Sequence, residues 1–316
     1  MVASQVVLIA SAVAHHTVPL VAGRFPELTF VPARTDEEIR KVLEDHKPVA
    51  AFSVKGPDFP GEQHRQITLC PSVKWVQVGG SGYDHLLPLE RDDLTVTNCA
   101  GLHAPFLAET VMGAMIALNG NFLPYRDLQT RRTWQQIQFR PLAGQTLLVI
   151  GLGHIGGAVA DRAKAFGMTV IGCRNRDEPH PSVDRMIRPE QLDDVITDAD
   201  IISLHVRLDE TTHHLFDETR IARMKPGSIL LNTARGSVVK EAALVAALET
   251  GHLKAAYLDV FEQEPLPADS RLWDLENLLM THHTADSVLD WEERFTHFFG
   301  DNLERWLKGL PLANKV

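Results

Sequence analysis

The sequence is poor in cysteine and in positive charge, and it has no long apolar run. Its 316 residues include only Cys70, Cys99 and Cys173, which are scattered, so we expect no disulfide framework and no metal site. Basic residues number 31 against 41 acidic ones, a net charge of −10. Nucleic-acid and anionic-membrane binding both need clustered positive charge, so neither partner is expected. No apolar run approaches the length of a membrane span.

The N-terminal apolar stretch also lacks a charge. Residues 6–14 end in Ala12-Val13-Ala14, which is similar to a signal-peptide cleavage site. No lysine or arginine precedes them, whereas a secretory signal begins with positive charge. The sequence therefore predicts a buried first strand, and the three scattered cysteines are expected of a cytoplasmic protein.

A glycine pattern follows an apolar run in the middle of the chain. Residues 147–150 read Leu-Leu-Val-Ile, and Gly151, Gly153 and Gly156 follow with the spacing Gly-x-Gly-x-x-Gly. A helical pattern then ends at Gly167, and a second apolar run begins. In such a βαβ unit the first glycine makes a tight turn, the second lets a pyrophosphate approach, and the third lets helix and strand pack closely. The helix N-terminus offers N–H groups to phosphates, so we predict a dinucleotide site rather than a purely structural turn.

Short apolar runs alternate with helical patterns along most of the chain. Residues 1–100 have such runs at 6–10, 28–32, 49–54, 75–78 and 94–97, and from residue 146 they recur at 146–150, 168–172, 201–204, 228–232, 256–259 and 277–280. This alternation predicts parallel α/β architecture. An aromatic stripe in residues 287–308 is expected to be core packed on the first domain. We predict a smaller, flavodoxin-like substrate domain (1–100 plus 287–316) and a doubly wound, Rossmann-type dinucleotide-binding domain (101–286).

The residues after the second strand of the βαβ unit bear on the choice of coenzyme. An NAD site usually has an acidic residue there for the ribose hydroxyls. Here Arg174, Asn175 and Arg176 follow the strand, and the first carboxylate is Asp177. A planar guanidinium binds phosphate in a bidentate manner, which favours a 2′-phosphate and hence NADP(H). The alternative is that the arginines are exposed loop residues and that Asp177 reaches the ribose of NAD(H).

Three polar segments follow predicted strands of the second domain, at 232–236, 259–265 and 281–285. Ligands in such sheets lie beyond the carboxyl ends of strands, so an arginine, a glutamate and a histidine are expected to converge there. In the first domain, glycines at 79–82 also follow a strand. Their backbone amides suit an anion, and an ordinary tight loop is an equal alternative.

With these segments the chain resembles the D-isomer-specific 2-hydroxyacid dehydrogenases along almost its whole length. The matching segments are 80–84, 101–109, the glycine turn, Leu204-His205, 225–236, 258–261, Glu264-Pro265, His283 and the tail 309–316.

The resemblance implies a role for each matching residue. Arg235 would hold the substrate carboxylate and polarise the keto oxygen, and His283 would be the general acid in reduction. Glu264 would hydrogen-bond His283 and favour its protonated form. The nearby Glu262 and His282 are the alternatives, of which Glu262 lacks the following proline and His282 stands where the family usually has proline. On an extended chain His282 and His283 would point in opposite directions.

The resemblance and the glycine pattern together predict the binding residues. Asp259 would hold the nicotinamide end, or merely cap a turn. The substrate is expected at Ser81, Gly82, Arg235 and His283. The predicted coenzyme contacts are Gly151, Gly153, His154, Ile155, Gly156, Arg174, Asn175, Arg176, Val206, Arg207, Thr212, Thr233, Ala234, Arg235, Asp259, His283 and Ala285.

The function that the resemblance implies is an NADPH-preferring reductase of glyoxylate and hydroxypyruvate to D-2-hydroxy acids. Bulkier 2-keto acids such as phenylpyruvate are an alternative, since Tyr83 and Phe106 would line a wider pocket. A dinucleotide-sensing, corepressor-like binding protein is a second alternative, which retention of the catalytic residues does not exclude. The family usually forms homodimers. Trp134 is expected either to reach a partner subunit or to be core.

Overall fold

The computed structural model of the chain describes residues 5–56, 59, 61–176 and 178–316. It divides into two compact units: unit 1 is Met1–His103 with Val288–Val316, and unit 2 is Ala104–Ser287. Each unit contains a parallel sheet and helices, which confirms the predicted α/β class. Asp177, the alternative ribose ligand, lies outside the described residues.

Unit 1 begins with a five-stranded parallel sheet in the order β2-β1-β3-β4-β5, which is the flavodoxin order. The strand β1 is fully apolar and buried on both faces, as expected where helices cover a parallel sheet. The elements are β1 Val6–Ala10, α1 Ala14–Ala22, β2 Thr29–Ala33, α2 Asp36–His46, β3 Ala50–Ser53, α3 Arg65–Leu69, β4 Trp75–Val78 and β5 Thr95–Thr97.

Unit 2 contains a seven-stranded parallel sheet in the order β12-β11-β10-β9-β6-β7-β8, a doubly wound arrangement in which β8 to β11 have the Rossmann strand order and β12 adds a seventh strand. Its elements are α4 Ala104–Asn119, α5 Phe122–Thr130, β6 Thr146–Ile150, α6 His154–Ala165, β7 Thr169–Cys173, β8 Arg185–Ile187, α7 Leu192–Val195, β9 Ile201–Leu204, α8 Glu218–Arg223, β10 Ile229–Asn232, α9 Glu241–Glu249, β11 Ala255–Leu258 and β12 Leu278–Met280.

The edge strand β8 was not among the predicted strands. It has only three residues, Arg185, Met186 and Ile187, and only the last is buried. The strand forms by parallel pairing with β7, and it has no apolar run of its own that would predict it. Other predicted strands of unit 2 match the structure to within about one residue at each end.

The helix α4 is apolar on most of its surface because it lies inside unit 2. Val111, Met115 and Leu118 are buried in one cluster with Val159 and Ala163 of α6. No single helix in the described ranges is long and apolar enough to cross a membrane. The pair α4 and α5, bent by 62°, passes that test of length and composition only when taken together.

The last helix, α10 (Trp291–Leu307), belongs to unit 1. Phe295, Phe299 and Leu303 recur every four residues and are buried. The Phe299 ring stacks on Phe52 at 4.7 Å and on Trp75 at 5.5 Å between centroids. The prediction that this aromatic stripe is core packed on the first domain is confirmed.

Candidate active site

The carboxyl ends of β6, β9, β10, β11 and β12 form one continuous edge of the unit 2 sheet. Backbone hydrogen bonds extend past the strands and tie the following loops together. His205 N donates to Ile150 O at 2.7 Å, Asp259 N to Asn232 O at 3.0 Å, and Thr281 N to Leu258 O at 3.0 Å. The three polar segments predicted to converge are therefore neighbours along this edge.

The glycine turn after β6 has the backbone geometry that its spacing predicts. Gly151 has a φ of +93°, and a Cβ there would lie 2.5 Å from His205 O. A Cβ on Gly156 would lie 2.1 Å from Gly151 O, so this glycine permits close packing of α6. Gly153, the N-cap residue of α6, faces open space: a Cβ there would meet no described atom within 4 Å. The open backbone and the helix N-terminus fit a pyrophosphate.

The neighbouring residues His154 and Ile155 form the first turn of α6. His154 is exposed and Ile155 is half-buried against the unit 2 core. No side chain among the described residues caps this helix start. Its first N–H groups therefore remain directed at the space in front of the turn.

His205 joins the loops after β9 and β10. Its Nε2 lies 2.8 Å from Ser203 Oγ, and its Nδ1 lies 3.1 Å from Thr233 Oγ1. Desolvation lowers the pKa of His205 to about 3, so the ring is neutral at physiological pH. The ring therefore holds Thr233 in place by hydrogen bonds and carries no charge.

The loop after β9 carries Val206, Arg207 and Thr212. Thr212 is half-buried, and its hydroxyl donates to Arg207 O at 2.7 Å and accepts from Asp209 N at 2.8 Å. Val206 packs against the unit 2 core. Thr212 therefore closes a compact turn, and its hydroxyl is already engaged within the loop.

The residues after β7 surround a cavity of about 320 Å³. Arg174, Arg176 and Arg188 line it together with Glu178. Arg174 donates through Nη1 to Leu152 O at 3.3 Å, and Arg188 donates through Nη1 to Asn175 O at 3.2 Å. Three guanidinium groups around one cavity fit a phosphate, and sequence reasoning missed Arg188 because it follows a different strand.

The loop after β10 carries Thr233, Ala234 and Arg235. The buried Asn232 side chain shapes it: Nδ2 donates to Arg235 O at 3.0 Å, and Oδ1 accepts from Ala234 N at 3.0 Å. Arg235 itself is half-buried, and its Nη1 donates to Ala234 O at 2.7 Å.

The next residue presses this loop against the loop after β11. A Cβ on Gly236 would lie 1.8 Å from the carbonyl carbon of Phe261. Only glycine allows this approach, which brings the Arg235 loop beside the segment that carries Glu264.

Glu264, and not Glu262, contacts His283. Glu264 Oε2 lies 2.7 Å from His283 Nδ1, while its Oε1 accepts from Phe261 N at 3.0 Å. Glu262 Oε1 instead lies 3.0 Å from His214 Nε2 and accepts from Glu241 N. The His283 and Glu264 side chains are 41% and 36% exposed, so a solute can reach this pair. With Nδ1 engaged by the carboxylate, His283 Nε2 remains to exchange a proton with a ligand.

The backbone of His283 is left-handed, with a φ of +54°. The expectation of an extended chain here is wrong. The two histidine rings still contact different residues, since the His282 ring lies 5.9 Å from the Trp273 ring, centroid to centroid, in an edge-on arrangement. A non-glycine residue with this φ is uncommon and needs local support.

Asp259 supplies that support. Its Oδ1 accepts from Thr281 Oγ1 at 2.5 Å, from Thr284 N at 2.9 Å and from Ala285 N at 3.1 Å, and its backbone O accepts from His283 N at 2.7 Å. Asp259 thus caps the turn that carries His283, which the sequence left open as an alternative. Ala285 is buried, and both of its backbone polar groups are engaged within the chain, the carbonyl by Thr110.

The sequence assigns no role to two residues beneath this turn, Tyr257 and Thr281. The Tyr257 hydroxyl lies 2.7 Å from Thr281 Oγ1. Burial raises the pKa of Tyr257 to about 12, so it stays protonated and can donate to Thr281. Tyr257, Thr281 and Asp259 therefore form a chain of hydrogen bonds leading to the backbone of His283.

Replacing Thr281 with valine is expected to lower kcat for 2-keto acid reduction by about 3- to 30-fold. A lost hydrogen bond to a charged group costs ~1.5–3 kcal/mol, and we expect part of this energy to be lost from the positioning of His283. The dissociation constant of the coenzyme should change less than threefold, as expected for a site that does not contact the substituted residue. Steady-state kinetics measure kcat, and fluorescence titration measures the dissociation constant. Thr211→Val, at an exposed turn, is the control, and equal effects of both variants would contradict this role.

In unit 1 the predicted anion site lies in the loop after β4. Asn98 Nδ2 donates to Ser81 O at 2.8 Å, and Cys99 N donates to Gly80 O at 2.8 Å. The backbone amides of Ser81 and Gly82 donate to no acceptor among the residues described. These two amides are therefore available to an anion, as the predicted site requires.

Residues 112–285 match a family model described as the D-isomer specific 2-hydroxyacid dehydrogenase, NAD binding domain. The chain is 32% identical over 255 residues to a glyoxylate reductase of Korarchaeum cryptofilum, covering 78% of this chain and 76% of that protein. It is 36% identical over 230 residues to a hydroxypyruvate reductase of Thermotoga maritima, covering 71% and 74%. A solved D-isomer specific 2-hydroxyacid dehydrogenase family protein from Aeromonas salmonicida superposes with a TM-score of 0.88 at 32% identity, covering 99% of both chains.

Proposed function

The chain belongs to the D-isomer specific 2-hydroxyacid dehydrogenase family, and from this premise we propose that it reduces glyoxylate and hydroxypyruvate to D-2-hydroxy acids with NADPH as the preferred coenzyme. As a member of the family it is an oxidoreductase that uses a nicotinamide dinucleotide. The observation that carries the proposal is the 2.7 Å contact between His283 and Glu264 on the sheet edge that also carries Arg235. The names of the two relatives support small 2-keto acids as substrates.

When bound, the coenzyme supplies the hydride that adds to the keto carbon. Negative charge then develops on the keto oxygen, and a fixed cation and a proton donor beside it stabilise the transition state. Arg235 supplies the cation, and its planar fork also binds the substrate carboxylate. His283 donates the proton from Nε2 while Glu264 holds Nδ1 and so fixes the ring. We propose the backbone amides of Ser81 and Gly82 as further carboxylate ligands.

The preference for NADPH rests on the arginines after β7. A cavity with three guanidinium groups suits a 2′-phosphate better than two ribose hydroxyls alone. Arg176 is exposed at the rim of this cavity, whereas Arg174 is largely enclosed and also holds the Leu152 carbonyl. Removal of Arg176 should therefore perturb the glycine turn less than removal of Arg174.

The experiment that tests this proposal is steady-state oxidation of NADPH and of NADH with glyoxylate, hydroxypyruvate, pyruvate and phenylpyruvate. We expect the highest kcat/KM with NADPH and one of the first two acids. Higher efficiency with phenylpyruvate would favour the bulky-substrate alternative. Coenzyme binding without turnover of any acid would favour the corepressor-like alternative.

Removing the Arg176 side chain provides a direct check of the coenzyme preference. Arg176→Ala is expected to raise the Michaelis constant for NADPH about 10-fold, since a hydrogen bond to a charged group contributes ~1.5–3 kcal/mol when it is well formed. The constant for NADH should stay within about twofold, the effect of an ordinary surface substitution. Arg185→Ala, on the exposed part of β8, serves as the control, and equal shifts for both coenzymes would contradict the assignment.

We also propose that the protein is a homodimer formed through unit 2. Trp134 is 96% exposed, so it is not core within the chain, and Phe122 and Phe139 in the same region are both 57% exposed. Exposed aromatic residues in one region of the chain are typical of an interface. Light scattering at micromolar concentration should give about twice the chain mass of 35.1 kDa.

Disrupting that surface should shift the protein toward the monomer. We expect Trp134→Ser with Phe139→Ser to raise the dissociation constant by about 100-fold, because an aromatic hot spot at an interface contributes ~2 kcal/mol or more. Sedimentation velocity across a dilution series measures this. Replacement of Trp273, 44% exposed elsewhere in unit 2, is the control, and a monomeric wild type would contradict the proposal.

A further inference from the structure

The cavity after β7 contains one carboxylate among its described lining residues, Glu178. It stands beside Arg174, Arg176 and Arg188, which supply the positive charge. The acidic residue that an NAD site uses follows the second strand directly, and that position here is occupied by Arg174. Glu178 lies five residues beyond the end of β7, too far along the chain for the usual spacing to identify it.

Glu178 is held against the most enclosed of the three arginines. Its Oε2 lies 3.3 Å from Arg174 Nη2, and Arg174 also donates to the Glu178 backbone carbonyl. The Arg174 side chain is 18% exposed and that of Glu178 is 64% exposed. The other end of the guanidinium is fixed by Leu152 O in the glycine turn. Arg174 is therefore oriented by the turn, and its remaining face meets a carboxylate that is free to move into solvent.

Two chemically different ligands would respond to this carboxylate in opposite ways. A 2′-phosphate is an anion, so it competes with Glu178 for the Arg174 guanidinium and is repelled by the carboxylate. A ribose hydroxyl is a hydrogen-bond donor, so it gains from an acceptor at the same place. We propose that Glu178 sets the coenzyme selectivity of this protein, by weakening NADP(H) at Arg174 and by accepting a hydrogen bond from the ribose of NAD(H).

This inference rests on the proposed function only in that a nicotinamide dinucleotide binds at the glycine turn. It predicts that the chain accepts both coenzymes and that its preference for NADPH is smaller than three arginines alone would produce. It also makes Glu178 the ribose partner in place of Asp177.

The test is the affinity of Glu178→Gln for each coenzyme, measured by fluorescence titration without a keto acid. We expect the dissociation constant for NADPH to fall by about two- to fivefold, the range of an exposed charge pair. The constant for NADH should rise by a smaller factor, because the glutamine carbonyl still accepts a hydrogen bond but without the charge of the carboxylate. Asp177→Asn is the matched control, because it removes the same charge one residue away. It should lower the NADPH constant by less than Glu178→Gln and leave the NADH constant unchanged.

A second background tests the route through Arg174. In Arg174→Met, Glu178→Gln should change the NADPH constant by less than it does in the wild type, because the competition for the guanidinium has been removed. Shifts of both coenzymes in the same direction overturn the proposal, as does Asp177→Asn reproducing the opposite shifts. A wild type that binds neither coenzyme contradicts the proposed function as well. A wild type that binds both while Glu178→Gln changes nothing contradicts only the role of Glu178.

Discussion

Replacing His283 with glutamine is expected to lower kcat for 2-keto acid reduction by about 10²- to 10⁴-fold, the range of a lost general acid. Glutamine retains the ability to donate a hydrogen bond, but it cannot deliver a proton to the developing alkoxide. Histidine is among the residues enriched at positive φ and glutamine is not, so the substitution adds some local strain at this turn, where φ is +54°. Steady-state kinetics measure the loss, and circular dichroism checks the fold.

The neighbouring histidine offers a matched control for this prediction. His282 packs edge-on to Trp273, whereas His283 is the histidine whose Nδ1 lies 2.7 Å from Glu264. His282→Gln should therefore retain at least about one third of the wild-type kcat, as expected for a surface substitution. An equal loss in both variants, or near-normal turnover in His283→Gln, would contradict the assignment of the proton donor.

Replacing Arg235 with lysine is expected to lower kcat/KM by about 10²- to 10³-fold, the effect of removing one preorganised donor from a developing oxyanion. Lysine keeps the charge, but it lacks the planar fork that binds a carboxylate and polarises the keto oxygen together. In the wild type, the hydrogen bond from Arg235 Nη1 to Ala234 O fixes the orientation of the guanidinium group. A lysine ammonium group cannot be oriented in the same way. The KM for the keto acid should rise along with the fall in kcat.

Arg271→Lys is the control for the Arg235 prediction, since Arg271 is exposed and pairs with Glu249 at the surface. Its kcat/KM should remain within about twofold of the wild type. Full activity of Arg235→Lys would show that charge alone suffices and would contradict bidentate binding. A fall in kcat with no change in KM would mean that Arg235 acts only in the transition state.

Much of the fold follows from local patterns in the sequence. The apolar runs, the helix stops such as Gly167 and the spacing of the glycines are properties of neighbouring residues. They therefore identify the parallel strands and the βαβ unit before any tertiary contact is known. The sequence does not predict edge strand β8, because three residues with one buried side chain show no hydrophobic periodicity.

Local sequence patterns predict only part of the candidate active site. The positions of Arg235, Glu264 and His283 follow from strand ends and from a family resemblance, because parallel strands present their carboxyl ends at one edge. Asn232 and Thr281 also lie in these strand-end segments, but the sequence assigns no role to them or to Tyr257. Their roles come from hydrogen bonds to residues that the chain brings close only after folding, such as the contact of Thr281 with Asp259 across 22 positions.

Local sequence patterns are enough to predict the parallel α/β class, the glycine turn and the charged groups at the strand ends, because each depends on residues within about one element of each other. The contact that separates Glu264 from its alternative Glu262, the left-handed backbone of His283 and the contact of Arg174 with Glu178 are visible only in the folded chain. These contacts depend on how loops from different strands pack, as where Gly236 lets its loop press on Phe261. Side-chain direction at such positions is set by neighbours that are distant in sequence, and spacing along the chain carries no information about them.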